Sequence, residues 1–327
     1  MAKKALRNIL TPLFPVLDIL LSPFTLLASF LLLAIRTMRI THLPLSKKIF
    51  KAVGVFPIRD HYYEPLFNDK QLKQPLDRDR HLPGINWNDK EQLDLLAGFH
   101  YQAELAVMPY AKPATDDFRF YFDNPSFGPA DAEYLYCMIR HYKPARIIEI
   151  GSGYSTLMAR QAIEKNRQEN PAYTCDHICI EPYEMPWLEK TGVTVIRKLV
   201  EDVDMEMFKT CHNNDILFID SSHIIRPQGD VLFEFLEILP VLNPGVIIHV
   251  HDIFSPRDYT KKHLVEEMLF WNEQYLLEAF LTCNNQFRII GALNYLRNHY
   301  PDQMMAQLPL VKDYPEHVPG SFWIKKN

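Results

Sequence analysis

The sequence predicts an α/β fold, doubly wound around a mostly parallel sheet, and three observations carry that prediction. Short apolar runs of strand length recur along the chain, with helical stretches between them. The runs are continuously apolar rather than alternating, which marks strands covered on both faces. Each of four such runs carries an acid at or near its exit: Glu149, Glu181, Asp220 and Asp252. In sheets of this kind ligands bind outside the carboxyl ends of the strands, so the four acids are expected along one rim. Crowded carboxylates repel one another, and a cationic ligand or a metal ion is the simplest reason to gather them.

The elements follow in order. Residues 129–142 predict a helix packed before the first strand, with Asp131 in its first turn, where an acid suits the dipole. The run 147–150 is the first strand. It turns through Gly151-Ser152-Gly153 into Tyr154 and Ser155, and a helical pattern begins at about Thr156. Glycines let a strand bend sharply while a ligand sits against bare backbone. The following helix start offers unpaired N–H groups to an anion. A tight turn holding no ligand is the alternative. Residues 177–181 read as the second strand and 194–197 as the third, followed by the acids Glu201 and Asp202. Residues 215–220 form the fourth, with His223 three positions past Asp220, and 246–252 the fifth, with His249 and His251 on one face.

At these residues, over roughly 128–327, the sequence resembles the class I S-adenosylmethionine-dependent methyltransferases. The segment E-I-G-S-G-Y-S-T is similar to their first motif, and Glu181 in I-E-P to the acid that grips the ribose hydroxyls. F-I-D-S-S-H at 218–223 and V-H-D at 250–252 resemble motifs of an O-methyltransferase subset, some of it metal-assisted. The resemblance implies a Rossmann-like sheet of seven strands, with 287–290 and 321–324 as the sixth and seventh. It implies S-adenosylmethionine as cofactor. Glu149, Gly151, Ser152 and Gly153 would hold its amino-acid end, with Tyr154 and Ser155 near the carboxylate. Glu181 would take the ribose, and Glu201 and Asp202 the adenine side, a solvated acidic turn being the alternative for that pair. Asp220 would border the same site.

For a hydroxyl acceptor, methyl transfer needs alignment and a base. His223 is the expected base, with an ordinary pKa near 6.5, and Asp220 is its catalytic neighbour; a histidine that only caps or packs the loop is the alternative. Asp220 and Asp252 are expected to share Mg²⁺, since hard cations prefer carboxylate oxygens, and His251 is a weaker ligand or second base. Metal-assisted relatives usually carry another acid or amide beside the second aspartate, whereas His251 and Ile253 flank Asp252 here. A nicotinamide dehydrogenase is the competing fold-mate, but Thr156 stands where G-x-G-x-x-G needs its third glycine or alanine.

The rest of the chain divides into a hydrophobic anchor with basic flanks over 1–44, a cap or connector over 45–127 in which 91–105 reads as helical, and the methyltransferase domain over 128–327. From Ile19 to Ile35 there is no charged residue, and 16–35 reaches the roughly 20 residues that span a bilayer. Asp18 and Pro23 weaken its first half, and Pro12, Pro15 and Pro23 leave a re-entrant hairpin open. The small residues of a signal-peptide cleavage site are not well placed after Ile35. More basic residues follow the segment than precede it, which keeps the catalytic domain cytosolic. Eight Lys/Arg against one Asp give residues 1–51 a charge of +7, so the remainder of this net −5 chain carries −12. That acidity argues against a nucleic-acid partner. Five cysteines without a C-x-x-C pair suggest neither disulfides nor zinc. The expected function is O-methylation of a small-molecule, glycan or lipid-linked acceptor at the cytosolic membrane face. A membrane-tethered binding or scaffold protein on the same fold is the second hypothesis. The oligomeric state is not legible.

Overall fold

The computed structural model describes residues 11–114 and 118–327. The basic residues Lys3, Lys4 and Arg7 of the expected anchor flank lie outside them. The chain forms two compact units, one ending at Leu72 and the other running from Lys73 to Asn327, so the division falls within the stretch 45–127.

In the first unit, α1 (Phe14–Thr37) is one 24-residue helix that continues through Pro23, and none of its residues is buried. Its best window has a mean hydropathy of 2.2, so by length and composition it can cross a membrane. The hydroxyls of Ser22, Thr25, Ser29 and Thr37 turn back onto helix carbonyls three or four residues earlier. α2 (Pro44–Val53) begins on a proline and closes at Gly54, whose φ is 79°. Beyond it, Glu64 accepts from Arg36, from the Arg59 backbone and from the Arg59 side chain. The Arg36 hydrogen bond is the main reason its pKa falls to about 2.

The second unit is built on seven strands: β1 (Arg146–Ile150), β2 (Asp176–Ile180), β3 (Thr194–Ile196), β4 (Ile216–Ile219), β5 (Ile247–Val250), β6 (Phe287–Ala292) and β7 (Phe322–Lys326). Their order is β3-β2-β1-β4-β5-β7-β6. The first five pair in parallel, and β7 runs antiparallel to both β5 and β6. Successive side chains leave a strand on opposite faces, and both faces are covered. On one side Ile147, Phe218, Ile247 and Trp323 join a core with Tyr134, Leu157 and Met158 from α4 (Asp131–Tyr142) and α5 (Tyr154–Glu169). On the other, Ile148, Leu217, Ile248 and Ile289 pack with Phe235 and Leu277 from α6 (230–241) and α7 (Glu273–Leu281).

Two stretches differ from the sequence reading. The helical pattern over 91–105 splits into α3 (Asp89–Ala97) and a short turn at Gln102–Leu105. Between them Phe99 turns fully inward and meets Tyr134 edge-on, with centroids 5.2 Å apart; burying that ring outweighs continuing the helix. The sixth strand runs on to Ala292 past a register irregularity between Ile289 and Gly291. A Cβ on Gly291 would meet the Tyr134 hydroxyl at 2.4 Å, so the strand can pass α4 only without a side chain there. Part of the expected connector also belongs to this core: Phe120, Phe122 and Phe127 are buried in it.

Candidate active site

The exits of β1, β2 and β4 are stitched together around one glycine. Gly151 has φ +77°, and a Cβ there would lie 1.8 Å from the Asp220 carbonyl oxygen. Its N–H donates to the Ile180 carbonyl, and the Asp220 N–H donates to that of Ile150. Glu181 closes the same corner. One carboxylate oxygen accepts from the N–H groups of Tyr183 and Glu184, and the other faces the Ser152 N–H at 3.4 Å. Gly153 donates to the Thr156 hydroxyl, fixing the first turn of α5. The Ser152 hydroxyl is buried beside the Cys179 thiol. Ser155 is buried in that turn, and the Tyr154 hydroxyl meets that of Tyr121 at 3.2 Å.

Glu149 sits beneath this turn rather than on its open side, at 1 % exposure. Its register opposite Cys179 aims one carboxylate oxygen at His177, 2.7 Å away, and toward the Cys179 thiol. Its other oxygen is buried without a partner among the described residues. Glu201 and Asp202 occupy the turn that follows β3; Asp202 is exposed, and Glu201 keeps one buried oxygen that is unpartnered among the described residues.

A second group gathers where β4 and β5 end. His223 and Asp252 both hold positive φ, +61° and +54°, a conformation that non-glycine residues keep only where their surroundings impose it. His223 Nε2 lies 3.4 Å from Asp220 and 3.6 Å from Asp252, while Nδ1 meets Glu273 at 2.8 Å. One donor atom from each of Asp220, His223 and Asp252 falls within 4.8 Å of the others. His251 is buried, with Nε2 4.0 Å from Asp252. His249 is tied instead to Ser321 and stacked on Phe218.

Glu273 escaped the sequence reading. It opens α7, is fully buried, and leaves its second oxygen unpartnered among the described residues. The His223 carbonyl accepts from the Asn272 and Glu273 backbone, and Trp271 covers the imidazole at 4.5 Å. Behind it Glu234, on the π-helical turn of α6, is also fully buried, and its side chain accepts from the Ser221 hydroxyl.

The electrostatics follow from this packing. Burial alone would depress the His223 pKa, but Asp220, Glu273 and Asp252 outweigh it and raise it well above the usual histidine value. His251 is likewise lifted against burial by Asp220, Asp252 and Asp131. Burial pushes Asp220 up, yet His251 and His223 bring it below the ordinary carboxylate range. Glu273 and Glu234 are both raised, chiefly by burial.

Residues 148–253 match the methyltransferase-domain family, and they run from β1 through the exit of β5, on a sheet whose seventh strand is inserted antiparallel. Over those residues this chain carries a methyltransferase domain. A protein of Archaeoglobus fulgidus, itself uncharacterized, is 30 % identical over 183 residues, covering 52 % of this chain and 80 % of the relative. Among solved structures, the O-methyltransferase TomG from Streptomyces achromogenes, involved in tomaymycin synthesis and bound to S-adenosylmethionine, is 14 % identical with a TM-score of 0.37. The alignment covers 63 % of this chain and 83 % of TomG. A Bacillus cereus O-methyltransferase in complex with S-adenosylhomocysteine is 12 % identical with a TM-score of 0.36, over 73 % and 92 % of the two chains. The methyltransferase match takes in Glu149, the glycine turn, Glu181, Asp220, His223 and Asp252. Glu273 lies outside it.

Proposed function

We propose that this methyltransferase moves the methyl group of S-adenosylmethionine to a hydroxyl of a small-molecule, glycan or lipid-linked acceptor at the cytosolic face of a membrane. The observation that carries the proposal is His223, held between Asp220, Asp252 and Glu273 on the rim that Gly151 also joins through Asp220. On this reading the 151–155 turn and Glu181 receive the cofactor's amino-acid and ribose parts. The buried oxygen of Glu201, unpartnered among the described residues, is a group that a polar ligand would satisfy.

Methyl transfer is an in-line displacement, so the protein must align donor and acceptor and accept one proton. Glu273 occupies Nδ1 of His223 and leaves Nε2 to take the acceptor's proton. Asp220 and Asp252 would hold a hard divalent ion, with His251 beside them, because their carboxylates converge within 4.8 Å of each other and of a His223 nitrogen. When bound, Mg²⁺ would orient the hydroxyl, lower its pKa and offset the carboxylate charge that keeps His223 protonated. The apolar exposed α1 supports anchoring through 16–35, with the domain limits 1–44, 45–127 and 128–327 as the functional division.

Calorimetric titration of the full chain with S-adenosylmethionine tests the proposal, paired with incubation of cell extracts and radiolabelled methyl donor. Binding plus a labelled product carrying an ether or ester methyl is the expected result. Binding without transfer in any extract would favour the tethered binding protein. Activity that survives chelation unchanged removes the metal and leaves the histidine.

A further inference from the structure

We propose that α2 lies in the plane of an anionic bilayer surface, its apolar stripe at the acyl boundary and its lysines among the lipid phosphates. The inference rests on α1 entering that bilayer.

Leu45, Ile49 and Val53 are spaced by four residues, so they stack along one face of the helix. Their exposures are 71 %, 53 % and 69 %, and α2 buries none of its residues. A single exposed aliphatic side chain is ordinary, but a continuous row of them along one helix marks an interaction surface. Lys47, Lys48 and Lys51 occupy the other side and are exposed as well. The charge is one-sided over a much longer stretch: from Ile19 to Ile58 there are five cations (Arg36, Arg39, Lys47, Lys48, Lys51) and no acid. A basic face backed by an aliphatic one is the pattern of a helix seated at the boundary of headgroups and acyl chains, and anionic lipid is its complement.

Length and position agree. Ten residues at about 1.5 Å each make a helix of roughly 15 Å, too short to cross a bilayer. Only residues 38–43 separate α2 from the end of α1. At roughly 3.5 Å per extended residue that connection spans about 20 Å at most, which keeps α2 near the surface through which α1 would emerge.

The test uses the full chain carrying Cys283→Ser, to remove the exposed native thiol, and either Ile49→Cys or Lys48→Cys labelled with an environment-sensitive fluorophore. Each protein is reconstituted into phosphatidylcholine vesicles, with or without phosphatidylglycerol, that contain a lipid spin label just below the headgroups. The expected result is several-fold stronger quenching at position 49 than at 48, increasing with phosphatidylglycerol. Water-like emission from both positions on protein that floats with the vesicles overturns the inference and leaves the α1 anchor standing. Equal quenching in the two vesicle types overturns the anionic partner. Protein that does not float removes both the anchor and the inference.

Discussion

Gly151 is the residue with least freedom in the site, because its left-handed backbone and the Asp220 carbonyl each exclude a side chain. Gly151→Ala is expected to cost about 2–5 kcal/mol of stability from the backbone penalty and the overlap together, and to abolish cofactor binding. A thermal melt and a titration with S-adenosylmethionine read both effects; an alanine variant that matches wild type in each would end the argument for this corner. His223→Ala is expected to slow methyl transfer by about 10²–10⁴, the usual worth of a general base, while cofactor binding persists. Glu273→Gln is subtler. The Glu273 carboxylate is one of the charges that raise the His223 pKa, so neutralising it lowers that pKa and supplies neutral imidazole at lower pH. The acidic limb of the kcat/KM profile should therefore move toward lower pH. If Glu273 merely filled space, the rate would fall at every pH and the limb would stay in place.

Among the elements, α4 shows how burial of one acid ties a helix start to pH. Ala130 precedes it at φ 64°, and the fully buried Glu133 carboxylate accepts from the Ala130 and Leu310 N–H groups at 3.0 and 2.9 Å. Burial, with Asp313 adding to it, pushes the Glu133 pKa up to about 7. A folded pKa above the unfolded one means a contribution that is complete below the ordinary value of 4.5 and lost as pH rises through about 7. The unfolding free energy of wild type, from urea titrations, should fall across that window by an amount on the order of 3 kcal/mol. Glu133→Gln cannot ionise, so its unfolding free energy should lose most of that slope; an unchanged slope would assign it to other groups.

The same scale explains what could be read in advance. Continuous apolar runs are legible because a strand covered on both faces needs no polar alternation, and the five parallel strands follow from them. The glycine turn was legible because its parts are adjacent in the chain, and Asp220, His223 and Asp252 because neighbouring strands end on one rim. Glu273 was not, since it reaches His223 across 50 residues through the packing of α7, and nothing local separates it from any acid in a helix's first turn. The inward aim of Glu149 depends on which residue of β2 stands opposite it, a register that the strand's own sequence does not state. The break after α3 is a tertiary decision by Phe99.

For the molecule as a whole, charge and exposed apolar surface are unevenly distributed. The 24-residue α1 has no buried residue, and its exposed aliphatic and aromatic side chains include Leu20, Phe24, Leu27 and Phe30, at 63–70 %. If a bilayer covers them, the hydrophobic effect that would otherwise drive aggregation instead fixes the chain at the membrane. Charge placed at mid-span should then undo anchoring and spare the chemistry. Two arginines, Leu27→Arg and Phe30→Arg, would each cost about 2.5–3.5 kcal/mol near the bilayer centre, enough together to deplete the inserted form by several orders of magnitude. Flotation on a density gradient should carry wild type up with the vesicles and leave the double variant behind. Cofactor binding by that variant should be unchanged, because the sheet and its rim belong to the unit that begins at Lys73. Wild-type protein released from membranes by an alkaline carbonate wash would contradict insertion directly. In that case the exposed face of α1 would need a protein partner to cover it.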